Sequence, residues 1–244
     1  KKVKTFNGWG LTTTDTIPPW KNKVNKESFL FNKINSDLID LVDKKEFRLT
    51  QFDHKNTDYK KILNELAWRH YIIFNSVLLA SKNISSNNMN LAECGVCDGL
   101  TIYFAIKACE MSNIAKKAFL YDSWETLADD KLRFKYDYLN IDITKKDLDC
   151  FQEDLVFNKG LIPNIFKTAR NPSEVSWLHI DLNSTDATKS SLDFFYSKLI
   201  SGGVILFDDY GGFEGTRKVI DNFFDSKNGH FINYPTGQGV FIKI

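Results

Sequence analysis

The segment Leu91-Ala92-Glu93-Cys94-Gly95-Val96-Cys97-Asp98-Gly99 constrains this chain more than any other. It follows a polar stretch, Ser85 to Asn90, and precedes Ile102, Ala105 and Cys109 at helical spacing. A strand, a glycine turn and a helix in that order open a nucleotide-binding α/β unit. A dinucleotide fingerprint requires three glycines, the middle one so that the backbone can approach a pyrophosphate. Cys97 occupies that middle position, and the pattern reads Glu-x-Gly-x-x-x-Gly. A carboxylate at the strand end, Glu93, favours a cationic ligand over a phosphorylated one. S-adenosylmethionine, with an ammonium and a sulfonium and no phosphate, fits better than NAD. A plain tight turn would read the same way.

The remaining features bound the class. A chain of 244 residues can bury one substantial core with a small appended cap. The net charge of +1 gives no electrostatic ground for a nucleic-acid or membrane partner. With 20 Phe, 9 Tyr and 5 Trp, the composition is that of a packed globular domain rather than a disordered one. No apolar run approaches the ~18 residues of a membrane span. The opening Lys1-Lys2-Val3-Lys4 leads into no signal-type core, so the expected location is cytoplasmic. Cys94 and Cys97 form a C-x-x-C inside the glycine turn, with no second pair or nearby histidines to complete a zinc site, so both read as structural. Cys109 and Cys150 read as core or loop thiols.

Residues 1–57 read as an N-terminal cap or lid segment and 58–244 as the main domain. Gly8, Gly10 and Pro18-Pro19 break up the first twenty residues, among which Trp9 and Trp20 need something to dock on. A helix from Ser28 to about Phe47 carries Phe31, Ile34, Leu38 and Leu41 on one face. It would lie either over an active-site mouth or against the outside of the sheet. A stronger helix runs from Asp58, its N-cap, to about Lys82, with His70 on its apolar stripe as a hydrogen-bonded core residue.

Beyond the glycine unit, Lys117 to Asp122 forms a short apolar strand ending in an acid. A carboxylate there can accept hydrogen bonds from both hydroxyls of a ribose, although Asp122 could also cap a helix that follows. Residues 128–150 read as a solvated helical connection, and Leu155-Val156-Phe157 as a third strand before the turn at Lys159-Gly160. Ser176 to Leu182 is a fourth strand in which His179 and Asp181 share a face. The next helix carries Leu192, Phe195 and Leu199 and is expected to end at Ser201-Gly202-Gly203. Val204 to Phe207 is a fifth strand running into Asp208-Asp209-Tyr210-Gly211, followed by a helix from Gly215 to Asp225. Phe231–Tyr234 and Gly239–Ile244, joined by a four-residue loop, close the chain as an antiparallel hairpin.

This alternation resembles the class I S-adenosylmethionine-dependent methyltransferase fold, a Rossmann-like α/β architecture with a mostly parallel seven-stranded sheet and an antiparallel closing hairpin. Four segments narrow the likeness to the macrocin O-methyltransferase (TylF-like) family and its relatives. They are Glu93-Cys94-Gly95-Val96, Asp122-Ser123-Trp124-Glu125-Thr126-Leu127, His179-Ile180-Asp181-Leu182 and Asp208-Asp209-Tyr210-Gly211, with Pro235-Thr236-Gly237-Gln238-Gly239 similar as well. The resemblance covers about residue 58 to the end. It implies S-adenosylmethionine held by Glu93, Gly95, Val96, Gly99, Asp122 and Ser123, and magnesium held by Asp181, Asp208 and Asp209. The methyl acceptor it implies is a hydroxyl of a sugar or another natural product.

One position departs from the family. Its antibiotic-sugar enzymes carry a second aspartate two residues after the first, as a general base; here that residue is Asn183, which takes no proton at neutral pH. Asp181 and His179 are the expected catalytic residues, His179 being the nearest titratable group although its place within a strand favours a structural role. His54, His230 and Asp186 cannot be ranked. The rival expectation, motivated by Asn183, is a non-catalytic cofactor-binding regulatory or scaffold protein. An NAD-dependent oxidoreductase stands third. A homo-oligomer is compatible with the sequence, which does not set its state.

Overall fold

The computed structural model describes residues 26–48, 58–84, 87–125 and 139–244. Trp9, Trp20, His54, Thr126 and Leu127 lie outside them, as do the Ser85 start of the polar stretch and residues 128–138 of the 128–150 connection. Among the described residues two helices precede the sheet, α1 (Lys26–Asp43) and α2 (Tyr59–Ser81). Asp58 caps α2 as expected, its side chain accepting from the Lys61 N–H at 3.2 Å.

The core alternates β1 (Asn88–Cys94), α3 (Leu100–Met111), β2 (Ala115–Asp122), α4 (Ile141–Asp147), β3 (Leu155–Lys159), β4 (Val175–Ile180), α5 (Thr185–Phe195), β5 (Leu199–Phe207), α6 (Glu214–Phe224), β6 (Gly229–Asn233) and β7 (Gly239–Lys243). The strands form one sheet in the order β3-β2-β1-β4-β5-β7-β6. The first five run parallel, while β7 is antiparallel to both β5 and β6. This is the expected Rossmann-like sheet with its closing hairpin. The chain leaves β1 toward β2 on one side and returns through β4 on the other, which makes the β1/β4 boundary the switch point where such sheets bind ligands.

Strand alternation sorts the core into two layers. Met89, Leu91, Trp177, Val204 and Leu206 face α1, α2 and α3, where Phe31 of α1 packs on Tyr71, Phe74 and Phe104. Ala92, Cys94, Leu178, Ile180, Ile205 and Phe207 face α5 and α6, against Leu192, Phe195, Ile220 and Phe224. The N-terminal helix is thereby fixed to the helical layer on one sheet face.

One expectation fails here. Ser201-Gly202-Gly203 does not cap a helix, because α5 stops at Phe195 and Leu199 already pairs with Val175. Trp177 next pairs with Val204, so residues 200–203 bulge out of register, with Gly202 in the left-handed region at φ 75°. A glycine pair serves a bulge as readily as a helix end, and local chemistry alone does not separate the two.

Candidate active site

The site builds outward from the switch point. The backbone bond from Asp181 N–H to the Cys94 carbonyl, 2.9 Å, continues the β1/β4 pairing past the end of β4. Gly95 turns away at φ 87°, and a Cβ there would sit 1.7 Å from the Asp181 carbonyl oxygen. The glycine is thus demanded by the approach of β4. Gly99, at φ 84°, starts α3, and a Cβ there would meet Leu148 at 2.7 Å.

Asp122 does more than its position at the end of β2 suggests. Its Oδ2 accepts the N–H groups of Val96 (2.7 Å) and Cys97 (2.9 Å), and its Oδ1 accepts that of Trp124 (2.7 Å). The glycine turn is held from below by a carboxylate, and Val96 enters the site through this bond. Ser123 closes a small turn with Glu125. The Trp124 indole and the Thr144 hydroxyl both donate to the Cys97 carbonyl, at 3.1 and 2.7 Å. Two N–H groups that a dinucleotide site offers to pyrophosphate are therefore already satisfied by negative charge. The donor set does not fit a phosphate, and it does fit a ligand without one.

Glu93 is turned from the turn into the sheet. Its Oε1 lies 2.9 Å from His179 Nδ1 on the neighbouring strand, and both side chains are 1% exposed. Burial raises the Glu93 pKa in spite of the His179 hydrogen bond. His179 is buried within the sheet and stacks on Trp177. His70 is a core residue stacked on Phe104, with a pKa lowered to about 3, first by burial and then by Arg69. Where a hydrogen bond was expected, its Nδ1 is buried without a hydrogen-bond partner among the described residues. His230 and Asp186 are exposed, on β6 and in the first turn of α5. Asn183 is exposed at φ 49°, a conformation that asparagine adopts more readily than most residues. Cys94 and Cys97 are free thiols, and burial pushes both above the ordinary value.

Asp181, Asp208 and Asp209 converge as their strands require. They follow the ends of the adjacent β4 and β5, and each offers an oxygen within 4.8 Å of the others. Burial raises the Asp181 pKa well above its ordinary value, and the charges of Asp208 and Asp209 add to that. Asp209 is raised to about 6 by burial and by Asp208, and its Oδ2 is buried with no hydrogen-bond partner among the described residues. Asp208 moves the other way. Burial would raise it, but Arg69, His179 and Gln238 together bring it below its ordinary value. An all-oxygen set under like-charge repulsion, with one orphaned buried oxygen, fits a hard divalent cation such as magnesium.

Arg69 and Gln238 were not singled out by their sequence context. Arg69 sits at 9% exposure on the apolar stripe of α2, one turn after Leu66, and a charge on such a stripe was the available signal. Gln238 is fully buried in the β6–β7 loop, where the family-like segment Pro235–Gly239 gave it no role of its own.

Residues 75–236 match the model of the macrocin O-methyltransferase (TylF) family. The chain belongs to this family. It is an S-adenosylmethionine-dependent O-methyltransferase, so the scaffold and NAD-dependent alternatives fall away. No curated protein sequence matches the chain. Among solved structures it resembles the O-methyltransferase NovP, at 15% identity and TM-score 0.65, over 89% of this chain and 99% of that one. CalS11, described as a TDP-rhamnose 3'-O-methyltransferase of calicheamicin biosynthesis, aligns at 13% identity and TM-score 0.53, over 90% and 96%. The S-adenosylhomocysteine-bound methyltransferase PaMTH1 of Podospora anserina aligns at 12% and 0.52, over 93% and 98%. At such identities the likeness is one of fold, here the class I methyltransferase fold. No helix among the described residues is long and apolar enough to cross a membrane.

Proposed function

We propose that this enzyme methylates a hydroxyl group of a small molecule, a sugar or another natural product, with the help of magnesium. The observation that carries the reading is the cluster of Asp181, Asp208 and Asp209 beside the glycine turn, with three carboxylate oxygens inside 4.8 Å. The descriptions of NovP as an O-methyltransferase and of CalS11 as acting on TDP-rhamnose support a hydroxylated acceptor. Nothing in the site asks for nucleic acid or membrane as a partner.

Glu93, Gly95, Val96, Gly99, Asp122 and Ser123 are the proposed cofactor-binding residues. Asp122 fixes the turn with one set of lone pairs and keeps others for a ribose, since a carboxylate has about four acceptor sites. Asp181 touches both halves of the site, the turn through Gly95 and the acidic cluster through its side chain. It is the proposed catalytic residue, orienting the acceptor hydroxyl. His179 is proposed to act from below, as a positioning partner of Glu93. A magnesium ion held by Asp181, Asp208 and Asp209 would supply Lewis acidity, which lowers the pKa of an alcohol. With Asn183 unable to accept a proton, dependence on that acidity should be strong. Residues 58–244 are read as the catalytic domain, located in the cytoplasm, and residues 1–57 as its cap.

The experiment supplies S-adenosylmethionine and a library of hydroxylated acceptors, and follows methyl transfer with and without a chelator. Transfer that stops with chelator and returns with magnesium supports the reading. Full transfer in excess chelator overturns the metal assignment.

A further inference from the structure

Asp208 is gripped by two residues from opposite ends of the chain. Arg69 of α2 pairs through Nη2 with the Asp208 carboxylate oxygen Oδ2. The same nitrogen donates to the Asp208 backbone carbonyl at 3.2 Å, and Nη1 donates to the Thr236 carbonyl at 3.1 Å. Gln238 donates through Nε2 to the other carboxylate oxygen, Oδ1, at 2.9 Å. The Gln238 amide is itself oriented, because its Oε1 accepts from the Thr236 hydroxyl at 3.0 Å. Both gripping side chains are nearly or fully buried, at 9% and 0% exposure. Asp209, by contrast, leaves its buried Oδ2 without a hydrogen-bond partner among the described residues.

We infer that Arg69 and Gln238 are positioning residues that clamp Asp208 so that the three aspartates form one cation site. The inference rests on the magnesium reading above. Asp208 faces two other carboxylates, and like-charge repulsion would drive its side chain to another rotamer if nothing held it. The two donors take one lone pair on each oxygen and fix the carboxylate plane, and the remaining lone pairs stay directed at the cluster. The planar guanidinium fork is suited to this, since it reaches a carboxylate and two carbonyls at once; a lysine offers only a point charge. Arg69 also offsets one of three negative charges, and a net charge of about −2 matches a divalent cation. Neither residue touches the reacting groups. The helix α2, which precedes the glycine unit, thereby becomes part of the site.

The test measures Mn2+ binding to the full chain by the loss of the free-ion paramagnetic signal, without acceptor or turnover. Arg69→Lys keeps the charge and loses the fork; Gln238→Ala removes a neutral donor and changes no charge. Each should weaken Mn2+ binding by about tenfold or more, the usual scale for groups that orient metal ligands. Affinity for S-adenosylhomocysteine should stay within twofold. If Gln238→Ala does not fold, Gln238→Met keeps the volume and removes the donor. Variants that bind Mn2+ as tightly as the parent overturn the clamp and leave the cation reading standing. A parent protein that binds no Mn2+ overturns that reading and the clamp with it.

Discussion

Glu93 and His179 face each other across the β1/β4 boundary, Oε1 to Nδ1 at 2.9 Å, and among the described residues the second oxygen of Glu93 and Nε2 of His179 are buried without hydrogen-bond partners. The pair lies directly under the edge where the glycine turn and Asp181 leave the sheet. Removing one partner of a buried pair strands the other, at a cost of about 3–5 kcal/mol when the pair is charged. Glu93→Ala and His179→Ala should each lower stability by about 3 kcal/mol in urea unfolding. The double variant should lose clearly less than the sum, because the second deletion removes a group already stranded. Strictly additive losses would mean that the two side chains do not act as a pair.

Asp122 accepts three backbone N–H groups, two of them from the glycine turn. Charge-assisted bonds of this kind are worth about 1.5–3 kcal/mol each where they are retained. Asp122→Ala should therefore lower the melting temperature, and it should weaken S-adenosylmethionine binding at least tenfold because the turn loses its shape. Calorimetric titration and a thermal melt separate the two effects. Weaker binding with unchanged stability would assign Asp122 to the ribose alone, and unchanged binding would confine it to the turn.

The parts of this molecule legible from sequence are those set by local periodicity. Glu93 to Gly99 reads as a turn because strand and helix periods meet there, and Asp181, Asp208 and Asp209 converge because adjacent strands end together. What was not legible depends on distant partners. Arg69 and Asp208 lie 139 positions apart, and a helical stripe shows which face is buried without showing what it meets. Glu93 reads from sequence as a carboxylate at a strand end, and only the strand order shows that His179 stands beside it. Asp122 bonds to backbone N–H groups, which carry no residue signature. Gly202 failed differently, since the same φ above zero serves a helix end and a strand bulge.

Asp147 provides a pH test away from the site. It is 7% exposed, its Oδ2 accepts the Arg48 N–H at 2.9 Å, and burial raises its pKa from 3.8 to about 6 despite the Arg48 hydrogen bond and charge. A carboxyl raised on folding binds its proton more tightly in the native state. Native protein is therefore favoured at low pH, and that contribution is lost as pH climbs from about 4 to 6. Asp147→Asn keeps an acceptor for Arg48 and has no charge to bury. At pH 8 it should be more stable than the parent by on the order of 2 kcal/mol, a gap that closes near pH 4. Urea unfolding at the two pH values decides it. A gap independent of pH would show that the effect is one of packing.

Gly95 is where the cofactor turn and the catalytic cluster meet, and its replacement tests both. Two separate costs fall on Gly95→Ala. The backbone stands at φ 87°, and a side chain in the left-handed region costs about 1–2 kcal/mol. The new methyl would also lie 1.7 Å from the Asp181 carbonyl oxygen and 2.7 Å from its carbon, so the ends of β1 and β4 must part. Parting them breaks the bond from Asp181 N–H to the Cys94 carbonyl and carries the Asp181 carboxylate away from Asp208 and Asp209. The expected loss is about 3 kcal/mol or more in stability, with Mn2+ affinity and methyl transfer both falling at least tenfold. Cys97→Gly is the control. Cys97 holds φ 52° with no such neighbour in the way, so glycine there relieves strain and should change stability by less than about 1 kcal/mol. A loss at Gly95 of only about 1–2 kcal/mol, mirrored by a gain of similar size at Cys97, would show that backbone conformation alone governs the turn. A large loss at Gly95 alone identifies the contact with Asp181 as the joint that couples the cofactor turn to the acidic cluster.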